Sequence, residues 1–129
     1  MYVPGLPPPS IPECVFVPAY CKRPTCKFNN LTETPKKGWT KVSQTSLMTG
    51  KRSMVTVIDV DGDYEWMEAF DAKYKLPETT KVMTPSGGYH LYYDYDPRLG
   101  KVSTKGWNNA KFGAEHDIDI DCRNDDGLI

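Results

Sequence analysis

Short runs of apolar and β-branched residues, separated by turns rich in glycine and proline, dominate the pattern along the chain. The most apolar run is residues 54–60 (MVTVIDV), and it predicts a buried strand because β-branched side chains suit a packed, pleated surface. Four shorter or more polar segments also have strand character. These further predicted strands are residues 14–20, 81–84, 89–95 and 118–123.

One helix is predicted, over residues 64–74. Its apolar side chains recur at three- and four-residue spacing and so share one face, and Pro77 ends the segment. The side chains on that face are Trp66, Met67, Phe70 and Tyr74.

The remaining segments are predicted to be irregular. Residues 1–12 contain five prolines and are expected to form an extended or disordered arm before a single domain over residues 13–129. Residues 23–39 and 96–116 are predicted loops, and residues 124–127 (NDDG) a turn. Leu128 and Ile129 then look like the opening of another strand, so we expect the chain to be a fragment of a longer protein or the short product of a truncated reading frame.

Strand alternation places several polar side chains on shared faces. Asp59 and Asp61 share one face of the first apolar strand, opposite Ile58 and Val60. If the neighbouring strands pair with this one, carboxylates from two strands and a histidine from a third converge. The side chains on the matching faces are His90, Tyr92 and Asp94 in one strand, and Asp119, Asp121 and Arg123 in the other.

Such a face suits metal-assisted phosphoryl transfer. Carboxylate oxygens are the ligands that Mg²⁺ and Mn²⁺ prefer, and a nearby His or Arg can bind a triphosphate. Residues 85–88 (PSGG) form a turn that lets backbone N–H groups approach an anion. Each feature alone also has a plainer interpretation: a solvated strand end, a packed histidine, or an acidic sheet edge. Their joint occurrence in this order favours a site.

Composition and charge narrow the class of protein. With 129 residues the chain forms at most one domain, and no apolar window is long enough to span a membrane. The N-terminus lacks the pattern of a secretory signal, so we expect an intracellular setting and no membrane partner.

Residues 1–53 contain eight Lys/Arg against two Asp/Glu, whereas residues 54–129 contain eight against fifteen. One half therefore favours phosphates and the other favours cations, unless the asymmetry is only uneven surface charge.

Four cysteines are present, and three of them cluster near the N-terminus. Their spacing is not that of a C-x2-C pair, so reduced thiols are favoured over a structural zinc site. The cysteines are Cys14, Cys21, Cys26 and Cys122.

Three stretches resemble the motifs of the primase–polymerase family of the archaeo-eukaryotic primase superfamily. Residues 57–61 (VIDVD) resemble its first motif, an apolar strand ending in D-x-D/E, and residues 84–90 (TPSGGYH) its second, T-P-S-G-G-x-H. Residues 120–127 (IDCRNDDG) look like its third, I-D-I-R-x-D-G-G. Upstream, residues 37–39 (KGW) and 49–50 (TG) resemble elements that precede the first motif. The resemblance runs from about residue 35 to the end.

The resemblance implies a fold, an activity and a set of residue roles. The fold is a mixed α/β sheet with an RRM-like catalytic core, here incomplete at its C-terminal end. The activity is DNA primase and polymerase, template-directed nucleotidyl transfer that uses two divalent metals, Mg²⁺ or Mn²⁺. Asp59, Asp61 and Asp121 would hold the metals, with Asp119 as a competing ligand. The nucleotide-binding residues would be Ser86, Gly87, Gly88, His90 and Arg123.

The same resemblance implies partners and a biological setting. The partners are a DNA template and primer, nucleoside triphosphates, and a helicase domain or protein. Members of this type occur in plasmids, phages and large DNA viruses. Cys122 and Asp126 depart from the third motif, where the family has Ile and Gly, and the P-P-S stretch that follows it is absent.

Three alternatives from other classes stay open. Residues 59–62 (DVDG) also resemble the nucleophile motif of haloacid-dehalogenase-type phosphatases, in which Asp59 would be phosphorylated, although residues 85–90 would then have no role. A truncated, catalytically inactive nucleic-acid-binding fragment would rely instead on the basic N-terminal half. A glycosyltransferase D-x-D site likewise leaves residues 85–90 unexplained.

Overall fold

The computed structural model describes residues 10–62, 68–69, 72–101 and 119–129, and these contain seven strands and a partly described helix. The strands form two antiparallel sheets, one of order β2-β1-β3 and the other of order β5-β6-β4-β7. The strands are β1 (Phe16–Tyr20), β2 (Arg23–Pro24), β3 (Gln44–Leu47), β4 (Val55–Asp61), β5 (Thr80–Met83), β6 (Tyr89–Asp94) and β7 (Asp119–Arg123).

The four-stranded sheet is built around β4, which pairs with β6 on one side and β7 on the other. One face of these three strands carries the main hydrophobic core, and burial of each aliphatic side chain stabilises the fold by about 1.5–3 kcal/mol. This is the face that strand alternation predicts to be apolar. Its core residues are Ile58, Val60, Tyr89, Leu91, Ile120 and Cys122.

The three-stranded sheet is joined to the larger sheet by the last residues of the chain. Leu128 forms an antiparallel bridge with Met48, and Leu47 and Ile129 exchange backbone hydrogen bonds of 2.9 and 3.0 Å. Met48 also belongs to a second buried cluster, with Val15 and Val17. The strand character predicted for residues 128–129 is therefore confirmed, and it ties the two sheets together.

All five predicted strands are present, with ends that shift by one or two residues. The loop predicted over residues 23–39 is wrong at its start, because Arg23–Pro24 pairs with the end of β1. Gln44–Leu47 (QTSL) was not predicted as a strand, since its polar sequence lacks apolar alternation. It is held instead by backbone pairing with β1.

The helix predicted over residues 64–74 is confirmed where it is described, at residues 68–69 and 72–74. Residues 63–67 and 70–71 lie outside the described residues, as do residues 1–9 of the predicted arm and 102–118 of the predicted loop and strand. No helix in the described part of the chain is both long and apolar enough to cross a membrane.

The two sheets and the partly described helix give the chain the mixed α/β class that the sequence predicts.

Candidate active site

The pairing of β4 brings three predicted site residues side by side. Asp59 lies directly opposite His90 of β6 and directly opposite Asp121 of β7. All three occupy the face opposite the hydrophobic core. The convergence predicted from strand alternation is thus confirmed at the level of the sheet.

One carboxylate oxygen of Asp59 is buried on this face without a hydrogen-bond partner. Its Oδ1 lies 3.2 Å from Nε2 of His90, and only 15% of the Asp59 side chain is exposed. The two atoms do not meet the geometry of a hydrogen bond, and Oδ1 is buried without a hydrogen-bond partner. A buried carboxylate oxygen is costly unless a donor or a cation satisfies it. This position therefore suits a cationic ligand.

Arg123 extends the same face along β7. Its terminal nitrogen donates to Oδ2 of Asp121 at 3.2 Å, whereas its Nε is buried without a partner. The guanidinium thus retains an unused donor beside the carboxylates. The planar set of N–H donors of a guanidinium matches the spacing of two phosphate oxygens.

The turn between β5 and β6 packs against the end of β4. The Gly87 N–H donates to the Thr84 carbonyl at 3.0 Å, and Gly87 has φ of 95°, a conformation that favours glycine. A Cβ on Gly88 would lie 2.4 Å from the Val60 carbonyl oxygen and 2.7 Å from Oδ1 of Asp61. The second glycine therefore permits a close approach between this turn and the D-x-D strand end.

The site face lines a cleft of about 580 Å³ between the two sheets. Asp59, Asp61, Ser86, His90 and Arg123 line one wall. The opposite wall comes from the first sheet and the chain end, and sequence reasoning did not find it. That wall is formed by Lys22, Pro24, Gln44, Ser46, Leu128 and Ile129.

Another cavity, of about 650 Å³, is larger but is lined by neither a carboxylate nor a histidine. Its lining residues lie between Pro24 and Leu31. The smaller cleft is therefore the better candidate site.

Asn124, interpreted from the sequence only as part of a turn, is a buried structural centre. Its Oδ1 accepts from the Thr56 hydroxyl at 2.6 Å, and its Nδ2 donates to the carbonyls of Asp96 and Gly100 at 3.1 and 3.0 Å. The Thr49 hydroxyl donates to the Asn124 backbone carbonyl at 2.6 Å. These bonds fix the second half of the third motif. The sequence carried no local signal for this role, because every partner of Asn124 is distant in the chain.

The upstream elements have structural roles. Gly50 has φ of 74°, and a Cβ there would lie 2.5 Å from backbone atoms of Asp125. Trp39 is buried, and its indole N–H donates to the Pro35 carbonyl at 2.7 Å. The T-G element thus packs on the third motif, and the K-x-W element anchors a loop.

The described residues contain no ready-made metal cage. No group of three or more His, Cys, Asp or Glu side chains within them has a metal-binding arrangement. Asp61 is exposed at the strand end, and the side chain of Asp119 lies outside the described residues. Burial and the charge of Asp59 raise the pKa of Tyr92, so this neighbouring hydroxyl stays protonated at neutral pH. Carboxylate oxygens and an unsatisfied Asp59 oxygen nevertheless fit a hard divalent cation.

Comparison with known proteins gives one match. No curated protein and no solved structure matches the chain, so the RRM-like core implied by the resemblance stays a prediction. The profile of the family described as bifunctional DNA primase/polymerase, N-terminal, matches residues 14–129, which include all three motifs and both sheets. The chain belongs to this family of DNA primase/polymerase domains.

Proposed function

We propose that this chain uses the cleft between its sheets for template-directed nucleotidyl transfer, with divalent metals held by Asp59, Asp61 and Asp121. The observation that carries the proposal is the register of β4, which sets Asp59 between His90 and Asp121 on one face of the sheet. Asp59 and His90 line the cleft, and Asp121 lies next to Asp59 but is not among the lining residues. Family membership supports DNA and nucleoside triphosphates as substrates.

Mg²⁺ or Mn²⁺ would supply charge neutralisation of the triphosphate and stabilisation of the attacking and leaving oxygens. The donor set fits such ions because it offers carboxylate oxygens, one of which is buried and unsatisfied. Asp59 contacts His90, and Asp121 contacts Arg123, so each of these carboxylates has a hydrogen-bond donor next to it.

Two nitrogen-bearing side chains beside the carboxylates would bind the substrate. His90 and Arg123 line the cleft beside the carboxylates and would donate to the phosphate oxygens of the incoming nucleotide. Thr84, Pro85 and Ser86 line the adjacent part of the pocket, and Lys22 adds a positive charge from the opposite wall. Gly87 and Gly88 are not among the lining residues and would act by shaping the turn that carries Ser86. The chain's own residues thus orient the triphosphate between two walls, so that positioning contributes to the rate.

The phosphatase alternative is less well supported. It gives no role to the turn at residues 84–88, which packs on the D-x-D strand, or to His90, which contacts Asp59. An inactive nucleic-acid-binding fragment remains the second candidate and is an outcome of the test. An associated helicase belongs to the proposal through the resemblance alone, and an intracellular setting through the lack of a secretory-signal pattern at the N-terminus.

The test is nucleotide binding measured by calorimetry, with and without Mn²⁺, using both ribo- and deoxynucleoside triphosphates. We expect Mn²⁺-dependent binding that disappears in the double variant Asp59→Asn with Asp61→Asn. The matched control is Asp94→Asn, which neutralises an exposed carboxylate on the same face of β6 but outside the cleft. This control should bind nucleotide as the unmodified chain does.

Extension of a labelled primer on a DNA template follows with the same proteins. Metal-independent nucleotide binding, or binding that survives the double substitution, would contradict the proposed site. A well-folded chain that binds no nucleotide would instead favour the inactive fragment.

A further inference from the structure

A further concave surface lies at residues 124–127, the turn at the end of the third motif. It encloses about 360 Å³ and is lined by side chains from four separate segments of the chain. We call it the basic patch, and it consists of Asn29, Asn30, Lys51, Arg52, Lys101 and Asp126.

The charges of the basic patch favour an anion. Three cationic side chains surround one carboxylate, and the Lys101 ammonium lies 2.9 Å from Oδ2 of Asp126. The hydrogen bond from Lys101, with the charges of Lys51 and Arg52, lowers the pKa of Asp126. The lining thus has one carboxylate against three cations, and the adjacent carboxylate of Asp125 reduces the local surplus to one positive charge.

Arg52 provides an independent sign of a missing partner. Its Nε is buried and has no hydrogen-bond partner among the described residues. Arg52 also borders a neighbouring cavity of about 320 Å³ that contains Glu13 and Glu33. Within the described chain it forms no ion pair with either carboxylate. A buried guanidinium donor without a partner is costly, and a phosphate oxygen is a suitable acceptor for it.

The backbone around the basic patch is fixed in place. The Lys51 N–H donates to Oδ1 of Asp125 at 2.9 Å, and the Asp125 N–H donates to the Gly100 carbonyl at 3.1 Å. These bonds hold the loops of Lys51 and Lys101 against the turn of the third motif. The loop backbones that carry Lys51 and Lys101 are therefore held in place, and the Lys101 side chain is further held by its ion pair with Asp126.

The position of the basic patch relates it to the cleft. Asp126 of the patch and Leu128 of the cleft wall are two residues apart, so their Cα atoms are at most about 7 Å from each other. In the cleft the carboxylates of Asp59 and Asp61 face the cations Lys22 and Arg123, so the charged lining has no surplus of positive charge. A nucleic acid strand entering the cleft would gain further cationic contacts from the patch beside it.

We propose that the basic patch binds backbone phosphates of a single-stranded nucleic acid, the strand that the adjacent cleft would copy or extend. The identification of the bound nucleic acid as the strand that the cleft copies or extends rests on the proposed function. The contacts are to phosphate, so binding is independent of base sequence and sensitive to salt.

The test uses a fluorescein-labelled single-stranded DNA of about 16 nucleotides, titrated by anisotropy at several salt concentrations. The variant is Lys51→Ala with Arg52→Ala. Loss of two phosphate contacts should lower the slope of log affinity against log salt by about 1.4, and the affinity at 0.1 M salt roughly 10- to 30-fold. Because Arg52 is partly buried, Lys51→Glu serves as a second variant in which only an exposed side chain changes.

The matched control is Lys41→Ala with Lys73→Ala, which removes two exposed charges outside both the basic patch and the cleft. The control should keep the DNA affinity and the salt slope to within about twofold. Unchanged DNA binding in both patch variants, or an equal loss in the control, would overturn the inference.

Nucleotide binding separates this inference from the proposed function. Mn²⁺-dependent binding of a nucleoside triphosphate should be the same in the patch variants and in the unmodified chain. A parallel loss of triphosphate affinity would show that the patch takes free nucleotide and would overturn the assignment to a strand. If DNA binding depends on the patch while no variant or unmodified chain binds nucleotide, the proposed function fails and the phosphate contact stands.

Discussion

Replacement of Gly88 by alanine tests how the second motif is held against the first. Gly88 lies where the turn between β5 and β6 meets the end of β4, and its Cα hydrogens face backbone atoms rather than solvent. An added Cβ would lie 2.4 Å from the Val60 carbonyl oxygen, 2.7 Å from Oδ1 of Asp61 and 3.2 Å from the Asp61 Cα. Two of these three atoms belong to the backbone, which cannot rotate away as a side chain does.

The magnitude follows from these distances. Ordinary van der Waals contact begins at 3.4 Å, so the turn and the strand end must separate by about 1 Å. Overpacking of this kind costs about 1–3 kcal/mol of stability. A displacement of about 1 Å at a catalytic constellation can cost about 100-fold in rate. We therefore expect Gly88→Ala to lose Mn²⁺-dependent nucleotide affinity beyond what its lower stability explains.

The assay pairs urea denaturation with nucleotide calorimetry under conditions in which each variant is fully folded. Gly100→Ala is the matched control, because Gly100 has φ of 54° and an added Cβ meets no atom within 4 Å. Alanine there introduces backbone strain of about 1–2 kcal/mol without contact to the cleft. Gly100→Ala should lower the free energy of unfolding but keep nucleotide affinity. Wild-type stability and nucleotide binding in Gly88→Ala would refute the close-contact reasoning.

Two further predictions concern the support of the site. Thr56→Val removes the buried hydroxyl that donates to Asn124, and we expect the free energy of unfolding to fall by about 1–3 kcal/mol in urea denaturation. Thr45→Val, at a partly exposed strand position, should change it by less than about 0.5 kcal/mol, and equal losses would argue against the buried network. The hydrogen bond from Arg98 lowers the pKa of Asp96 to about 2. This pKa lies below the value of about 3.9 for an unfolded chain. The Asp96–Arg98 pair therefore stabilises the folded state fully above about pH 3.9, and this stabilisation is lost as the pH falls towards 2. The difference in urea midpoint between the unmodified chain and Arg98→Gln should therefore shrink on acidification, and a constant difference would exclude the ion pair as its cause.

The site face was predictable because β4 is unusually apolar and its neighbours alternate cleanly. Once residues 54–60 are a buried strand, Asp59 and Asp61 must share the face opposite Ile58 and Val60. The same argument applies to His90. Alternation does not determine strand order, and only the structure shows that β4 lies between β6 and β7.

The second wall of the cleft was not predictable from local pattern. Gln44–Leu47 is polar and has no apolar alternation, so its strand conformation comes from pairing with β1. Lys22 has φ of 66°, which a sequence rule reserves for glycine or asparagine. The role of Asn124 likewise depends on partners 24 to 75 positions away, which local reasoning cannot supply.

The order of the strands in the four-stranded sheet has a consequence for synthesis on the ribosome. Asp59 and His90 are 31 positions apart in the chain, whereas Asp121 is 62 positions from Asp59. This doubling of separation adds only about 0.6 kcal/mol of loop-closure entropy, so the finished sheet is hardly affected. The nascent chain, however, can pair β4 with β6 before the residues of β7 exist, an interval of roughly 2–6 s at ordinary elongation rates. Throughout that interval the backbone N–H and C=O groups along one edge of β4 are unpaired and can pair with other chains. We expect the risk of aggregation to be greatest during this interval.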